Sequence, residues 1–210
     1  NGRIVLLPYL EVDPERDDVR CDGRRAVPSA HVYVAMNKPV GVVCAVTDKY
    51  DPVVVDLLPE RLRRERIYPA GRLDRESEGL LILTNDGSFA QSILHPSRGV
   101  TKEYEVLLNI EINERQTERW RDGFEIQGRH VRPIALSALS REPQGRWLRV
   151  VIGEGLKREV RTMANLAGFS VRALIRRRVG RMVLENLRVG EFVELSFSEL
   201  YTKIFKGGAV

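Results

Sequence analysis

The 210 residues are 43% hydrophobic and 30% charged, with 34 lysines and arginines against 29 acids and a net charge of +5. That length can bury one large core or two small ones, and no apolar run approaches the roughly eighteen residues of a membrane span. The opening NGRIVLLPYLEVDPERD has neither the basic start nor the long apolar centre of a signal peptide, and the lack of an initiator Met leads us to expect a piece of a longer chain. Cys21 and Cys44 have no metal spacing and read as thiols of a reducing compartment. His31, His95 and His130 are too scattered for a zinc site, so no metal is expected. A cytoplasmic monomer is the expectation, or an organellar one in a eukaryote.

In chain order, residues 1–30 are short and punctuated, and Asp22–Arg24 reads as a hairpin turn between two short strands. His31–Pro39 alternates as a strand, and Gly41–Val46 is predicted as a second. Asp51-Pro52 offers a cap and first-turn proline for a short helix through Val55, Leu57 and Leu58, stopped at Pro59, and Arg61–Arg66 reads as a basic loop. The run Leu80–Leu83 is apolar throughout, as in a buried strand. Asn85-Asp86-Gly87 starts a helix with Phe89, Ala90, Ile93 and Leu94 inside, ended by His95-Pro96. Lys102–Leu108 alternates as a strand, and Asn113–Arg121 is a capped helix ended by Asp122-Gly123. Phe124–Ile126 and Val131–Leu139 are predicted strands around a turn at Gly128, followed by Trp147–Ile152. Leu156–Ala167 repeats apolar residues with the 3.6-residue period, and Gly168 supplies the C′ position. Val171–Val179 and Phe192–Phe197 complete the strands. Strands outnumber helices without a regular βαβ rhythm, which predicts an α+β fold with a large, mostly antiparallel sheet flanked by a few helices.

The charge excess is local. Lys157, Arg158, Arg161, Arg172, Arg176, Arg177, Arg178 and Arg181 stand between Val151 and Arg181 against Glu154 and Glu159. A solvated basic face is one reading of this segment. A nucleic-acid groove is the preferred one, since arginine forks suit phosphates and base edges. Walker and G-x-G-x-x-G phosphate loops are absent, as is a G-x-S-x-G elbow, so no nucleotide cofactor is expected.

For chemistry the richest stretch is Tyr68–Gly87, YPAGRLDRESEGLLILTNDG, which sets Asp74 in a charged turn directly before a buried strand. Asp74, Glu76 and Glu78 can be read as working acids or as a merely soluble turn. Tyr104 can be read as a base-stacking ring or as a half-buried sheet tyrosine. Arg161 borders the apolar stripe of its helix. A half-buried arginine wants a carboxylate, and a pair with Asp74 would keep that acid ionised.

Four blocks, NKPVGVVC, GRLDRESEGLLILTNDG, KEYEV and EGLKREVRTMANLAGFSVRALIR, closely resemble in order and spacing the signature blocks of RsuA-type pseudouridine synthases. The resemblance spans about Val32 to Leu200. It implies a catalytic domain over residues 31–210, with the active-site cleft across the sheet. Residues 1–30 are similar to the last part of an S4-like RNA-binding module. By resemblance Asp74 is the essential aspartate, Tyr104 the tyrosine against the target base, Arg161 the basic partner of the aspartate and Leu174 an apolar pocket residue. Arg72 helps hold the flipped nucleotide, while Lys157, Arg158, Arg176, Arg177 and Arg178 grip phosphates. Glu159 stands where glutamine is usual and Thr162 where a second arginine is common. Glu76 and Glu78 become solvent and scaffold.

The implied reaction isomerises a specific uridine of RNA to pseudouridine without metal or cofactor. The substrate expected is ribosomal RNA or a pre-ribosomal particle, with the large subunit favoured. The nucleotide is extruded from its stack, and Asp74 acts at C1′ or at C6. A non-catalytic RNA-binding assembly factor on the same fold is the competing class. A small-molecule hydrolase using Asp74 would lack a base, a metal and a phosphate cradle.

Overall fold

The computed structural model describes residues 1–7, 10–13, 16–26, 30–206 and 208–209. The chain divides into two compact units, Asn1–His31 and Val32–Val210. In the first, β1 (Arg20–Cys21) and β2 (Arg24–Arg25) pair antiparallel around the expected turn. Asp22 and Gly23 have φ of 49° and 76°, the left-handed pair of a tight two-residue hairpin. The expectation of an S4-like remnant over residues 1–30 falls partly on 8–9, 14–15 and 27–29, outside the described residues.

The second unit is built on one mixed sheet. Its main path runs β13 (Phe192–Leu195), β3 (Tyr33–Lys38), β5 (Glu78–Thr84), β11 (Val171–Val179), β6 (Lys102–Leu108), β10 (Trp147–Ile152), β9 (Ala135–Ala138). Neighbours along this path are antiparallel except β5 and β11, which run parallel with Gly79 opposite Arg176. Short strands β4 (Tyr68–Pro69), β12 (Met182–Val183) and β14 (Gly208–Ala209) attach beside it, and β7 (Phe124–Ile126) with β8 (Arg129–Val131) forms a separate hairpin. Both faces of β3 and β5 are covered. Val34, Met36, Leu81 and Leu83 pack with α4 (Glu159–Leu166), while Tyr33, Ala35, Leu80 and Ile82 pack with α2 (Gly87–Leu94). Two-sided burial is why Leu80–Leu83 shows no alternation. Each such side chain contributes roughly 1.5–3 kcal/mol. No described helix is long and apolar enough to cross a membrane.

Several predicted boundaries move. Gly41–Val46 is not a strand: the segment bends and makes one bridge, Val43 to Val53, while Gly41 N donates to Arg75 O. The helix expected from Asp51-Pro52 is a 3₁₀ turn, Val54–Leu57, with Val53 before it, and the basic loop after Pro59 is the short helix α1 (Glu60–Arg63). Val131–Leu139 breaks at Pro133, whose missing N–H cannot join a ladder, so β8 and β9 are separate. The helix predicted from Leu156 starts at Glu159, because Arg158 before it has φ of 56°. Phe192–Phe197 ends as a strand at Leu195, where Ser196 caps α5 (Phe197–Tyr201). Leu94 is exposed rather than inside. Asp86 caps α2 by accepting from Phe89 N, and α3 (Glu114–Asp122) has Asn113 as its cap.

A seam glycine fixes how β5 meets β11. Gly79 has φ of 113°, and a Cβ there would lie 2.3 Å from Arg176 O, so a larger residue would force the two strands apart.

Candidate active site

Asp74 opens a β-turn in which Ser77 N donates to Asp74 O at 3.0 Å, and Asp is well suited to a turn's first position. This turn is bound from beneath by Lys38, the last residue of β3. The Lys38 side chain is fully buried, and its ammonium donates to Ser77 O at 2.7 Å, Pro39 O at 2.9 Å and Asp74 O at 3.3 Å. Burial lowers its pKa, but three carbonyl acceptors complete its donor set. From the other side Gly41 N donates to Arg75 O, Leu73 N donates to Cys44 Sγ, and Arg75 pairs with Asp51 at 3.1 Å. A turn gripped at so many backbone atoms is a rigid mount for its carboxylate.

Two guanidinium groups reach that carboxylate. Arg161 of α4 has a side chain only 10% exposed, and its Nε stands 3.5 Å from Asp74 Oδ2. Its terminal nitrogens donate to Glu76 O, Ser77 Oγ and Val171 O, so the turn's own backbone orients it. The Arg161 Nε is buried with no hydrogen bond, which leaves its charge available to Asp74. Burial pulls the Arg161 pKa down, the adjacent Arg158 adds to that, and Asp74 and Glu76 oppose it. Arg158, much more exposed, lies 3.6 Å from Asp74 Oδ2 and 3.1 Å from Glu76 Oε2. Its left-handed backbone turns the chain into α4 at this point.

Asp74 borders a cavity of about 270 Å³ whose floor is the sheet: Lys102 and Tyr104 on β6, Leu174 and Arg176 on β11. Arg72, Ser77, Arg158 and Glu159 also border it. Tyr104, 8% exposed, packs in the core with Val106 and still presents surface to the cavity. Leu174 is buried beside it.

The basic segment is not the continuous phosphate grip that the sequence suggests. Arg176 is buried, its Nε on Leu80 O at 2.7 Å and Nη1 on Arg72 O at 3.4 Å. Arg178 donates to Glu103 and Gly180 O, and Arg177 lies 3.5 Å from Glu105. Burial pushes Glu103 up, but Arg149 and Arg178 together hold its carboxyl below the usual range. Arg176, Arg177 and Arg178 therefore serve the sheet first. Lys157 is exposed and outside the cavity, whereas Arg72 is exposed at its rim. Glu76 is exposed and pairs with Arg158.

Lys38, Ser77, Lys102 and Glu159 were not anticipated as functional residues. A lysine ending an apolar strand just before proline marks Lys38, and Lys102 stands two residues before Tyr104 on the same strand face.

Residues 32–166 match the RNA pseudouridylate synthase family. The chain belongs to that family. It is 35% identical to a chloroplastic protein of Arabidopsis thaliana that goes by the name of ribosomal large subunit pseudouridine synthase. That match covers 95% of this chain and 52% of the plant protein, so the chain spans about half of that relative's length. It is 37% identical to an uncharacterised RNA pseudouridine synthase of Bacillus subtilis, over 90% of this chain and 80% of that one. Among solved structures, a crystal structure of a pseudouridylate synthase superposes with a TM-score of 0.74 at 27% identity, covering 95% of this chain and 85% of the other.

Proposed function

We propose that this chain isomerises a specific uridine to pseudouridine in ribosomal RNA, with Asp74 as the reacting carboxylate. The observation that carries the reading is the convergence of Asp74, Tyr104 and Leu174 on one cavity with Arg161 behind the carboxylate. A cavity of about 270 Å³ suits one extruded nucleotide rather than a duplex. Asp74 acts as nucleophile at C1′ or at C6, and the fixed guanidinium of Arg161 holds its charge beside the reacting carbon. Tyr104 packs against the uracil, Leu174 closes the apolar side, and Arg72 and Arg158 at the mouth take the nucleotide's phosphates. After the glycosidic bond breaks, the uracil turns and joins C5 to C1′, and the C5 proton is lost.

On our reading the signature blocks support the RsuA-type branch, with residues 1–30 as the end of an S4-like RNA-binding module. The plant relative's name supports a large-subunit substrate, and its chloroplastic location supports an organellar setting in eukaryotes. We read the protein as acting alone, as a monomer on its RNA. Asp74→Asn is expected to abolish product while leaving RNA affinity within about twofold, since the shape of the site is kept. Tritium release from 5-tritiated uridine RNA is the measurement, and retained turnover would sink the assignment.

A further inference from the structure

Lys102 is a cation that the fold leaves unanswered. It opens β6 and, two residues before Tyr104, shares its strand face and borders the same cavity. The side chain is half-buried, and among the described residues its ammonium has no hydrogen bond and no ion pair. Of the other cations bordering the cavity, Arg158 pairs with Asp74 and Glu76, Arg176 is bound to two carbonyls, and Arg72 and Arg129 are exposed at its rim, so Lys102 is the half-buried one left with its ammonium unbound among the described residues. Burial weakens Lys102's hold on its proton, Arg176 weakens it further, and Glu159 partly restores it. An ammonium with three donors and no acceptor, facing a cavity that takes a base, has room for an anionic oxygen.

The reaction supplies one. When C1′–N1 breaks, its electron pair leaves on the uracil and spreads over the ring oxygens; if Asp74 first adds at C6, the ring becomes an enolate with charge on the same oxygens. We propose that Lys102 donates to a ring oxygen of the flipped uracil and stabilises the negative charge the base carries between loss of the N1 bond and formation of the C5 bond. In the C1′ route an Asp74 oxygen bonds C1′ as N1 departs with the pair. C5 of the turned ring then attacks C1′, the carboxylate leaves with its electrons, and the C5 proton ends on N1. Lys102 stays protonated throughout, and nothing is oxidised or reduced. Donors fixed where charge develops are worth about 10²–10³ in rate. The inference rests on Asp74 as the reacting group.

Lys102→Met keeps the stem and removes the charge. Single-turnover reactions on in-vitro transcribed large-subunit ribosomal RNA, made with uridine or with 5-fluorouridine, separate chemistry from structure, because fluorine stabilises the uracil anion without any lysine. The expected result is a loss of about 10²-fold on uridine RNA, counted by mass spectrometry of the C-linked nucleoside, which from uridine has given up its C5 proton and from 5-fluorouridine keeps fluorine at C5 and takes up water across C6 and N1. The loss should shrink at least about tenfold on fluorouridine RNA, with affinity unchanged and Lys102→Arg intermediate. Equal losses on both RNAs, or no loss, would overturn the assignment of Lys102. Turnover surviving Asp74→Asn would instead overturn the reading beneath it. Should Lys102→Met fail to fold, Lys102→Gln carries the same substrate comparison.

Discussion

Asp74 and Glu159 border the same cavity under opposite conditions. The Asp74 side chain is 24% exposed and stands beside the guanidinium groups of Arg161 and Arg158. Glu159 is 4% exposed, has no ion pair among the described residues, and accepts one hydrogen bond, from Leu156 N at 2.9 Å. Burial pushes the Glu159 carboxyl above its ordinary range, the Leu156 bond opposes that, Glu154 adds to it, and Lys102 opposes it. One acid is provided with paired guanidinium groups and solvent, and the other is buried without an ion pair among the described residues. Of the three acids that border the pocket, Glu154 is exposed, Asp74 stands against two guanidinium groups, and Glu159 closes the corner into α4.

Removing the inner countercharge should break this contrast most severely. Arg161→Ala leaves Asp74 only the exposed Arg158 and orphans the acceptors at Glu76 O, Ser77 Oγ and Val171 O, and a stability loss of about 3–5 kcal/mol is expected in urea titrations at neutral pH. An unchanged midpoint would mean that Arg161 does not anchor the turn. Arg158→Ala removes the outer, exposed guanidinium. Its stability effect should stay below about 1 kcal/mol, while kcat/KM falls roughly tenfold, the size of one lost charge contact near 1.4 kcal/mol. Equal damage from both variants would erase the distinction between a fixed and a movable partner.

The smallest expected effect concerns Glu159. Its folded pKa is raised, so the stability it contributes is complete below the unfolded carboxyl range, near about 4, and is lost as pH rises through the folded value. Glu159→Gln keeps an oxygen for Leu156 N without the buried charge. Its Tm should exceed that of the parent at pH 8 by on the order of 2 °C and converge with it at acidic pH. A lower Tm at pH 8 would show that the Lys102 interaction outweighs burial.

Which parts were legible from residues alone follows from how local each cause is. Lys102–Leu108, Trp147–Ile152 and Val171–Val179 have the strand bounds expected, since alternation or β-branched content decides them within a few residues. Gly41–Val46 has the composition of a strand, but its backbone groups go to Arg75, Pro52 and Val54 while Val42 and Cys44 pack inward. Asp74 was conspicuous as an acid in a charged turn, and Arg161 by its phase beside an apolar stripe. The parallel seam, buried Lys38 and the internal use of Arg176 depend on partners 36 to 104 residues away, which no local pattern displays.

The Gly79–Arg176 seam carries one more consequence, for the order in which competence is acquired. It joins β5, which leads out of the Asp74 turn, to β11, which brings Leu174, and these segments are distant along the chain. Such distant pairings are slow to form. Asp74 and the Leu174 part of the cavity floor belong to separate segments until that seam closes. A half-made chain thus holds the Asp74 turn without the cavity it borders.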